Sequence, residues 1–288
     1  MQDQPASVSI QELLAGNVQL ASPPEIFLKI NQILDNPNWS SAEVSHLIEH
    51  DPGLAARLLK IVNSALFHFP SQITSIKQAV NVIGFQDLRD LVLATLVVER
   101  FSSLPNGLIS MRSFWMISVR RGLLAKRLAE RHPQSQRLHA CFICGLLHHI
   151  GRLVIYQRLP EPARAAVLLS ARENIPEHTA QRRVLGFDHY DVGAELGRRW
   201  RLPEVIVATI AAHDAPESAG AYAVQSALVS MASELCTIDY QAPENLETEL
   251  RNHADLWAST ELDRSILDEA LAEAESEFIE VFTKIYKS

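Results

Sequence analysis

Helix-start signals followed by apolar residues at helical spacing constrain the fold of this chain more than any other feature. Ser40 and Glu43 have the spacing of a capping box, and Asp51-Pro52 places a capping carboxylate before a proline at the first helical position. Asp188 precedes a later apolar stripe in the same way. No strand-like alternation is long enough to compete, so the sequence predicts an all-α protein.

Two helical subdomains are predicted, because the helical pattern breaks at residues 102–110, where proline, asparagine and glycine cluster. Residues 1–101 contain five short periodic segments and are expected to form an N-terminal helical bundle. Residues 111–288 form the second predicted subdomain. A length of 288 residues is sufficient for two modest domains.

Within the second subdomain the pattern predicts a helix from Leu138 to Ile150 that ends at Gly151. A turn is expected around Pro243. Apolar residues recur at helical spacing over residues 262–286, which indicates a packed C-terminal helix.

The charge balance and the cysteine count narrow the classes of function. Lys plus Arg number 26 and Asp plus Glu number 34, so the formal charge is −8, which argues against extensive nucleic-acid binding although not against a local basic patch. The longest strongly apolar run, Leu91 to Val98, is too short to span a membrane. Three cysteines cannot form a disulfide framework, so we expect a cytoplasmic protein.

Four histidines lie at predicted helix ends: His148, His149, His189 and His213. Imidazoles from three helix ends can converge on one metal ion such as Zn, Fe, Mn or Ni. The alternative is that they cap helices or bond to backbone carbonyls in a partly buried position. Periodicity alone favours the second interpretation, because the fixed ligand spacing of zinc motifs is absent.

Cys141, Cys144 and His148 share one face of the predicted 138–150 helix. A redox or zinc role is the alternative for the two cysteines, but the residues around them are apolar and the sequence contains no second CxxC. Core packing is therefore the favoured interpretation.

A basic stripe marks the helix predicted from Ser113 to about Arg131. Such a stripe is more often a solvated face, and a phosphate site is the alternative. The stripe consists of Arg120, Arg121, Lys126, Arg127 and Arg131, with Arg198, Arg199 and Arg201 further along the chain.

The run from Asp51 to Ala65, the Phe114-Trp115 pair and the segment Gly145 to Leu153 carry a family resemblance. They resemble the HDOD domain, the HD-related output domain of bacterial signalling proteins, over about residues 20–240. The resemblance implies a two-lobed fold, in which an N-terminal five-helix bundle packs on a degenerate subdomain similar to HD phosphohydrolases.

The resemblance also implies which metal ligands of an HD hydrolase are missing. The first histidine position falls near Ile117, the His-Asp pair reads His148-His149, and the distal aspartate falls near Ser233. Loss of both carboxylates removes ligands that hard cations prefer. His148, His149, His189 and His213 are thus candidates for a vestigial site only, with no catalytic, metal or cofactor role assigned.

Two functions from different classes follow. The first is a non-catalytic signal-transduction module that binds a protein partner, such as a signalling protein or a cyclic-nucleotide-signalling enzyme, without a cofactor. The second is a residual metal-dependent phosphohydrolase acting on a phosphoester or nucleotide. The aromatic loop from Phe67 to Pro70 is the predicted contact for a partner, unless its rings only fill the gap between the lobes.

Overall fold

The computed structural model describes residues 8–15, 23–34, 36, 40–102, 107–238 and 243–286. These residues contain α-helices and short 3₁₀ turns and no strand, which confirms the all-α prediction. None of these helices is both long and apolar enough to cross a lipid bilayer. Residues 103–106 of the predicted break lie outside the described ranges.

Among the described residues, six helices precede the break, and the last five are those predicted for the N-terminal bundle. The capping residues Ser40 and Asp51 accept backbone hydrogen bonds from Glu43 and Leu54, at 3.3 and 2.9 Å, as the sequence predicts. The helices are α1 (Ile10–Ala15), α2 (Glu25–Leu34), α3 (Ser41–Glu49), α4 (Pro52–Val62), α5 (Ile76–Ile83) and α6 (Phe85–Ser102).

The remaining helices form the second lobe around the long helix α7. Asp188 caps α12 by accepting hydrogen bonds from the backbone of Tyr190 and Asp191. The helices are α7 (Met111–Arg131), α8 (Cys141–Leu147), α9 (Ile150–Arg158), α10 (Pro160–Glu173), α11 (Glu177–Leu185), α12 (His189–Arg199), α13 (Glu204–Ala211), α14 (Ala223–Leu235), α15 (Pro243–Asn252), α16 (Ala254–Ser259) and α17 (Leu267–Ile285).

One continuous hydrophobic core runs through both lobes. At their contact, Phe101 at the end of α6 lies 6.2 Å, ring to ring, from Trp200 after α12. The short helix α1 contacts α12 of the second lobe, where Arg199 donates to the Gln11 carbonyl at 3.3 Å. The two lobes therefore share buried apolar surface.

Two close helix crossings bring the functional elements together. A Cβ atom added to Gly145 in α8 would lie 2.7 Å from the Gly122 Cα atom in α7. A Cβ atom added to Gly151 would lie 1.9 Å from the carbonyl oxygen of His189 at the start of α12. Because neither contact leaves room for a methyl group, these glycines allow the backbones to touch.

The structure corrects two predicted boundaries. The predicted helix from Leu138 to Ile150 is instead α8 followed by a turn and α9, and Gly151 lies inside α9 rather than ending a helix. Gly151 is required for close packing against His189 and not for a left-handed cap. Pro243 begins α15, where its missing N–H costs nothing, and the turn expected before it falls on residues 239–242, outside the described ranges.

Candidate functional site

The four histidines singled out in the sequence come together in the second lobe. His148 follows α8, His149 precedes α9, His189 begins α12 and His213 follows α13. The ring centroids of His148 and His149 lie 4.0 Å apart, those of His148 and His213 4.8 Å, and those of His149 and His189 4.9 Å. All four side chains are buried. The crossings at Gly145 and Gly151 position them, because each glycine lies within three residues of a histidine.

A relay of hydrogen bonds fixes the protonation of these rings. The backbone N–H of His189 donates to Gln181 Oε1 at 3.0 Å, so this oxygen must also accept from His189 Nδ1 at 2.7 Å. His189 Nε2 then accepts from His149 Nδ1 at 2.9 Å. His148 Nδ1 donates to the Gly145 carbonyl at 2.7 Å. Both His148 and His149 therefore present an Nε2 lone pair.

These two lone pairs face the same hydroxyl. Ser233 Oγ lies 3.2 Å from His148 Nε2 and 3.4 Å from His149 Nε2. A hydroxyl has only one hydrogen to donate, so Ser233 can satisfy one of the two rings. Ser230 fixes the tautomer of His213 in a similar way. Its hydroxyl donates its one hydrogen to the His213 carbonyl at 2.7 Å, so its oxygen accepts a hydrogen bond from His213 Nδ1 at 3.2 Å.

Burial keeps the four rings neutral. It holds the pKa of His148, His149 and His189 well below the ordinary imidazole value, and it lowers the pKa of His213 to about 3. The neighbouring Arg121 guanidinium lowers all four pKa values further. Neutral imidazole is the form that binds a metal ion.

His148, His149 and His213 could hold a metal ion, since one ligand nitrogen from each lies within 4.8 Å of the others. This group contains no carboxylate. Three imidazoles suit Zn, Ni or Cu, whereas Mg²⁺ and Ca²⁺ prefer oxygen ligands. The Nδ1–H groups are held by carbonyl or side-chain oxygens at His148, His189 and His213, as is usual around bound metal ions.

Three of these histidines, His149, His189 and His213, line a cleft of about 740 Å³. Helix α7 contributes Arg121 to its wall. Ile117 lies one turn earlier on the same face of the helix, but it is 40% exposed and does not line the cleft. The cleft therefore meets α7 at Arg121 and not at the position that the resemblance gives to the first ligand. Sequence reasoning noted Arg121 only as part of the basic stripe.

Most other charged groups of the cleft are paired. Arg152 binds Glu177 and lies 3.1 Å from the Tyr156 hydroxyl, which donates to Glu177 at 2.6 Å. His178 lies 3.3 Å from Asp214. Glu177 also accepts from Gln181 at 2.7 Å and so connects this cluster to the histidine relay.

The part of the basic stripe on α7 is not a solvated face, which corrects the favoured sequence interpretation there, whereas Arg198 and Arg201 are exposed. Arg120 pairs with Glu275 at 3.0 Å and Arg127 with Glu277 at 2.6 Å. Arg131 pairs with Glu273 at 2.8 Å. Helix α17 thus neutralises most of the stripe, a contact that the local sequence around α7 does not reveal.

The two cysteines of α8 are buried, and burial raises the pKa of Cys141 to about 12. The Cys144 thiol lies 3.8 Å from the Val205 carbonyl. A thiolate is therefore disfavoured at both positions, which supports core packing over a redox or zinc role.

The aromatic loop is anchored to α7. Phe67 and Phe69 are half-buried and stack in parallel with centroids 6.0 Å apart. Lys126 donates to the Leu66 carbonyl at 2.6 Å, and its ammonium lies 5.3 Å from the Phe67 ring centroid. His68 remains exposed with a φ of 51°. The rings both contact the core and keep part of their surface accessible.

Comparisons with known proteins agree with this architecture. Residues 20–216 match the HDOD domain family. An uncharacterized protein from Treponema pallidum (strain Nichols) is 30% identical over 190 residues, 66% of this chain, but the match spans only 36% of that relative's length.

Two solved structures resemble the fold. An HDOD domain protein of unknown function from Geobacter sulfurreducens has 27% identity and a TM-score of 0.73, covering 96% of this chain and 95% of that one. A protein from Shewanella amazonensis SB2B, provisionally named a phosphohydrolase, has 24% identity and a TM-score of 0.75, covering 94% and 99%. The latter likeness concerns the fold alone.

Proposed function

We propose that this chain, which belongs to the HDOD family, is a non-catalytic cytoplasmic signalling module that acts by binding a protein partner. The observation that carries the proposal is the donor set of the histidine site. The group of His148, His149 and His213 has no carboxylate oxygen, and Ser233 stands where the resemblance places the distal aspartate.

This donor set opposes the HD type of hydrolysis. That chemistry uses a divalent metal ion to generate a hydroxide nucleophile, and hard cations such as Mg²⁺ and Mn²⁺ need oxygen ligands to bind well. His149 and Ser233 also contact the neighbouring rings of His189 and His148, so these two positions are not open for water. The three free cysteines support a reducing compartment.

The test is hydrolysis by protein purified without a histidine tag, with added Mn²⁺ and 4-nitrophenyl phosphate, bis-4-nitrophenyl phosphate or a cyclic dinucleotide. We expect no release above that of a His148→Ala/His213→Ala double variant, and no tightly bound metal ion. Turnover that the double variant loses would refute a non-catalytic role.

The second candidate, a residual metal-dependent phosphohydrolase, is favoured by one observation. Three neutral imidazoles already present ligand nitrogens within 4.8 Å of one another. One equivalent of a transition metal, together with turnover in the assay above, would establish it.

The partner surface proposed for this module includes the aromatic loop. The loop is held by Lys126 and by Arg127, which donates to the Ala65 carbonyl at 3.2 Å, so its half-exposed rings form a rigid surface at the junction of the lobes. Affinity capture from extracts of the source organism should recover a signalling protein or a cyclic-nucleotide-signalling enzyme.

A Phe67→Ser/Phe69→Ser variant tests this surface. It should remain folded and monodisperse but lose the partner. Leu168→Ser is the matched control, because Leu168 is 64% exposed on α10. A variant that unfolds, or that still binds the partner, would show that the rings serve the core.

A further inference from the structure

Arg121 is a buried charge that the histidine relay and the helix packing do not explain. Its side chain lines the cleft, and the residue is only 8% exposed. Nε has no hydrogen-bond partner, and among the described residues no carboxylate lies close enough to form an ion pair with it. An unpaired buried charge is strongly destabilising, so its retention calls for a compensating group.

The other basic side chains that line the cleft already have partners. Arg152 is bound by Glu177, and His178 faces Asp214. His253 lies 3.1 Å from Glu249. A ligand that enters the cleft would thus find one guanidinium available, together with neutral imidazoles and the hydroxyls of Ser230 and Ser233.

The rim of the cleft carries the opposite charge. Glu217 and Asp255 are exposed there, and Glu234 is half-buried with a pKa raised by burial. These carboxylates would repel a polyanion. They favour a ligand whose remaining atoms are cationic or rich in hydrogen-bond donors.

We propose that the cleft binds a small molecule through one oxyanion head, a phosphate monoester or a carboxylate, that accepts hydrogen bonds from Arg121. The planar guanidinium fork matches the geometry of both oxyanions. A volume of about 740 Å³ is ample for a molecule of metabolite size. The ligand would be a signal for the module, and the site does not depend on any hydrolytic activity.

Calorimetric titration of the full chain in EDTA tests the proposal with four probes. Phosphoethanolamine and β-alanine carry the same ammonium tail on different heads, so they identify the preferred oxyanion. Inorganic phosphate lacks the tail, and ATP adds charge. We expect one of the two zwitterions to bind more tightly than inorganic phosphate, and ATP to bind most weakly.

Variants assign the binding to Arg121. Arg121→Gln should weaken the binding of the preferred probe at least about tenfold, which is the usual effect of removing a hydrogen bond to a charged group. Arg121→Lys should give an intermediate loss, because it keeps the charge but not the fork. Arg164→Gln on the exposed face of α10 is the matched control and should bind like the parent protein.

Three results would overturn the proposal: no binding of any probe at 10 mM, unchanged binding by Arg121→Gln, or tighter binding of ATP than of both zwitterions. If Arg121→Gln fails to fold, the amide chemical shifts of the parent protein test the site instead. Addition of the preferred probe must then change the shifts of residues near Arg121, His149 and Ser233. Shifts confined to the N-terminal lobe would refute the site. Phosphate release from phosphoethanolamine would contradict the non-catalytic function while leaving the binding site intact.

Discussion

Two buried arginines on helix α7, six residues apart, have opposite surroundings. Arg127, at the junction of the lobes, binds Glu277 through two nitrogens at 2.6 and 3.1 Å and donates to the Ala65 carbonyl. Arg121, in the cleft, has no ion-pair partner among the described residues. Both are less than a tenth exposed.

The difference separates a structural region from a binding region. At the junction, charge is neutralised within the protein, and the contact fixes helix α17 and the aromatic loop to α7. In the cleft, the Arg121 guanidinium and the Nε2 lone pair of either His148 or His149 remain undersatisfied, which costs stability and provides groups for a ligand. Four changes should test this contrast, from the largest effect to the smallest.

Mild acid should destabilise the cleft first. Histidines in the unfolded chain have the ordinary imidazole pKa of about 6.5, whereas burial holds the pKa values of the four rings far lower. As the pH is lowered, the unfolded state therefore takes up protons before the folded state does. The free energy of unfolding decreases as the pH drops from 6.5. The slope approaches about 1.4 kcal/mol per pH unit for each histidine. Urea unfolding at pH 7.5, 6.5 and 5.5 measures it.

Hydrogen exchange at pH 5.5 locates the effect. Amides around the cleft should exchange faster, while those around Arg127 and Glu277 should remain protected. Replacing an exposed ring, His50→Gln, should leave the slope unchanged. A free energy of unfolding that is constant from pH 7.5 to 5.5 would show that the rings are not held neutral.

Arg127→Met should reduce the free energy of unfolding by about 3–5 kcal/mol, because it leaves Glu277 buried without its partner. Adding Glu277→Leu should restore most of this loss, since an apolar pair can replace a buried ion pair. Thermal and urea unfolding measure both effects.

Arg121→Met is the comparison variant on the same helix. It removes a charge that has no partner, so the free energy of unfolding should stay constant or rise. A loss as large as that of Arg127→Met would mean that Arg121 is also a structural residue.

Gly151→Ala should destabilise the protein by about 3 kcal/mol, the upper part of the range for overpacked positions. The new methyl group would lie 1.9 Å from the His189 carbonyl oxygen, and backbone must move to admit it. Gly107→Ala, whose new methyl group would meet no atom of the described residues within 4 Å, should be nearly neutral. Equal melting temperatures of the two variants would argue against the crossing of α9 and α12.

His148→Ala should cost about 1–3 kcal/mol, because it removes the buried bond to the Gly145 carbonyl. We expect this change in stability to exceed any effect on a catalytic rate. An unchanged melting temperature accompanied by loss of hydrolysis would instead identify His148 as a ligand of a working metal centre.

Local signals predicted the fold and the members of the histidine site well. The caps at Ser40, Asp51 and Asp188 form as expected, because capping involves residues only a few positions apart. The histidines were found because their type and their places at helix ends are visible in the sequence. The tautomers of these histidines could not be predicted, since they depend on contacts with Gln181, Ser230 and Ser233.

The errors have a common physical origin. Gly151 was interpreted as a helix end because a local pattern cannot show that another backbone passes beside it. The ligand position expected at Ile117 does not line the cleft, because the point at which the cleft meets α7 is set by helices that are distant in the sequence.

The sequence by itself determined that the chain is helical, where many of its helices begin, and which four imidazoles are candidates for one site. Only the tertiary structure decided which basic residues are neutralised. Glu277 lies 150 residues from Arg127 along the chain, whereas no carboxylate reaches Arg121 among the described residues. Helical periodicity is a local property, but the pairing of a buried charge depends on segments that meet only when the chain is folded.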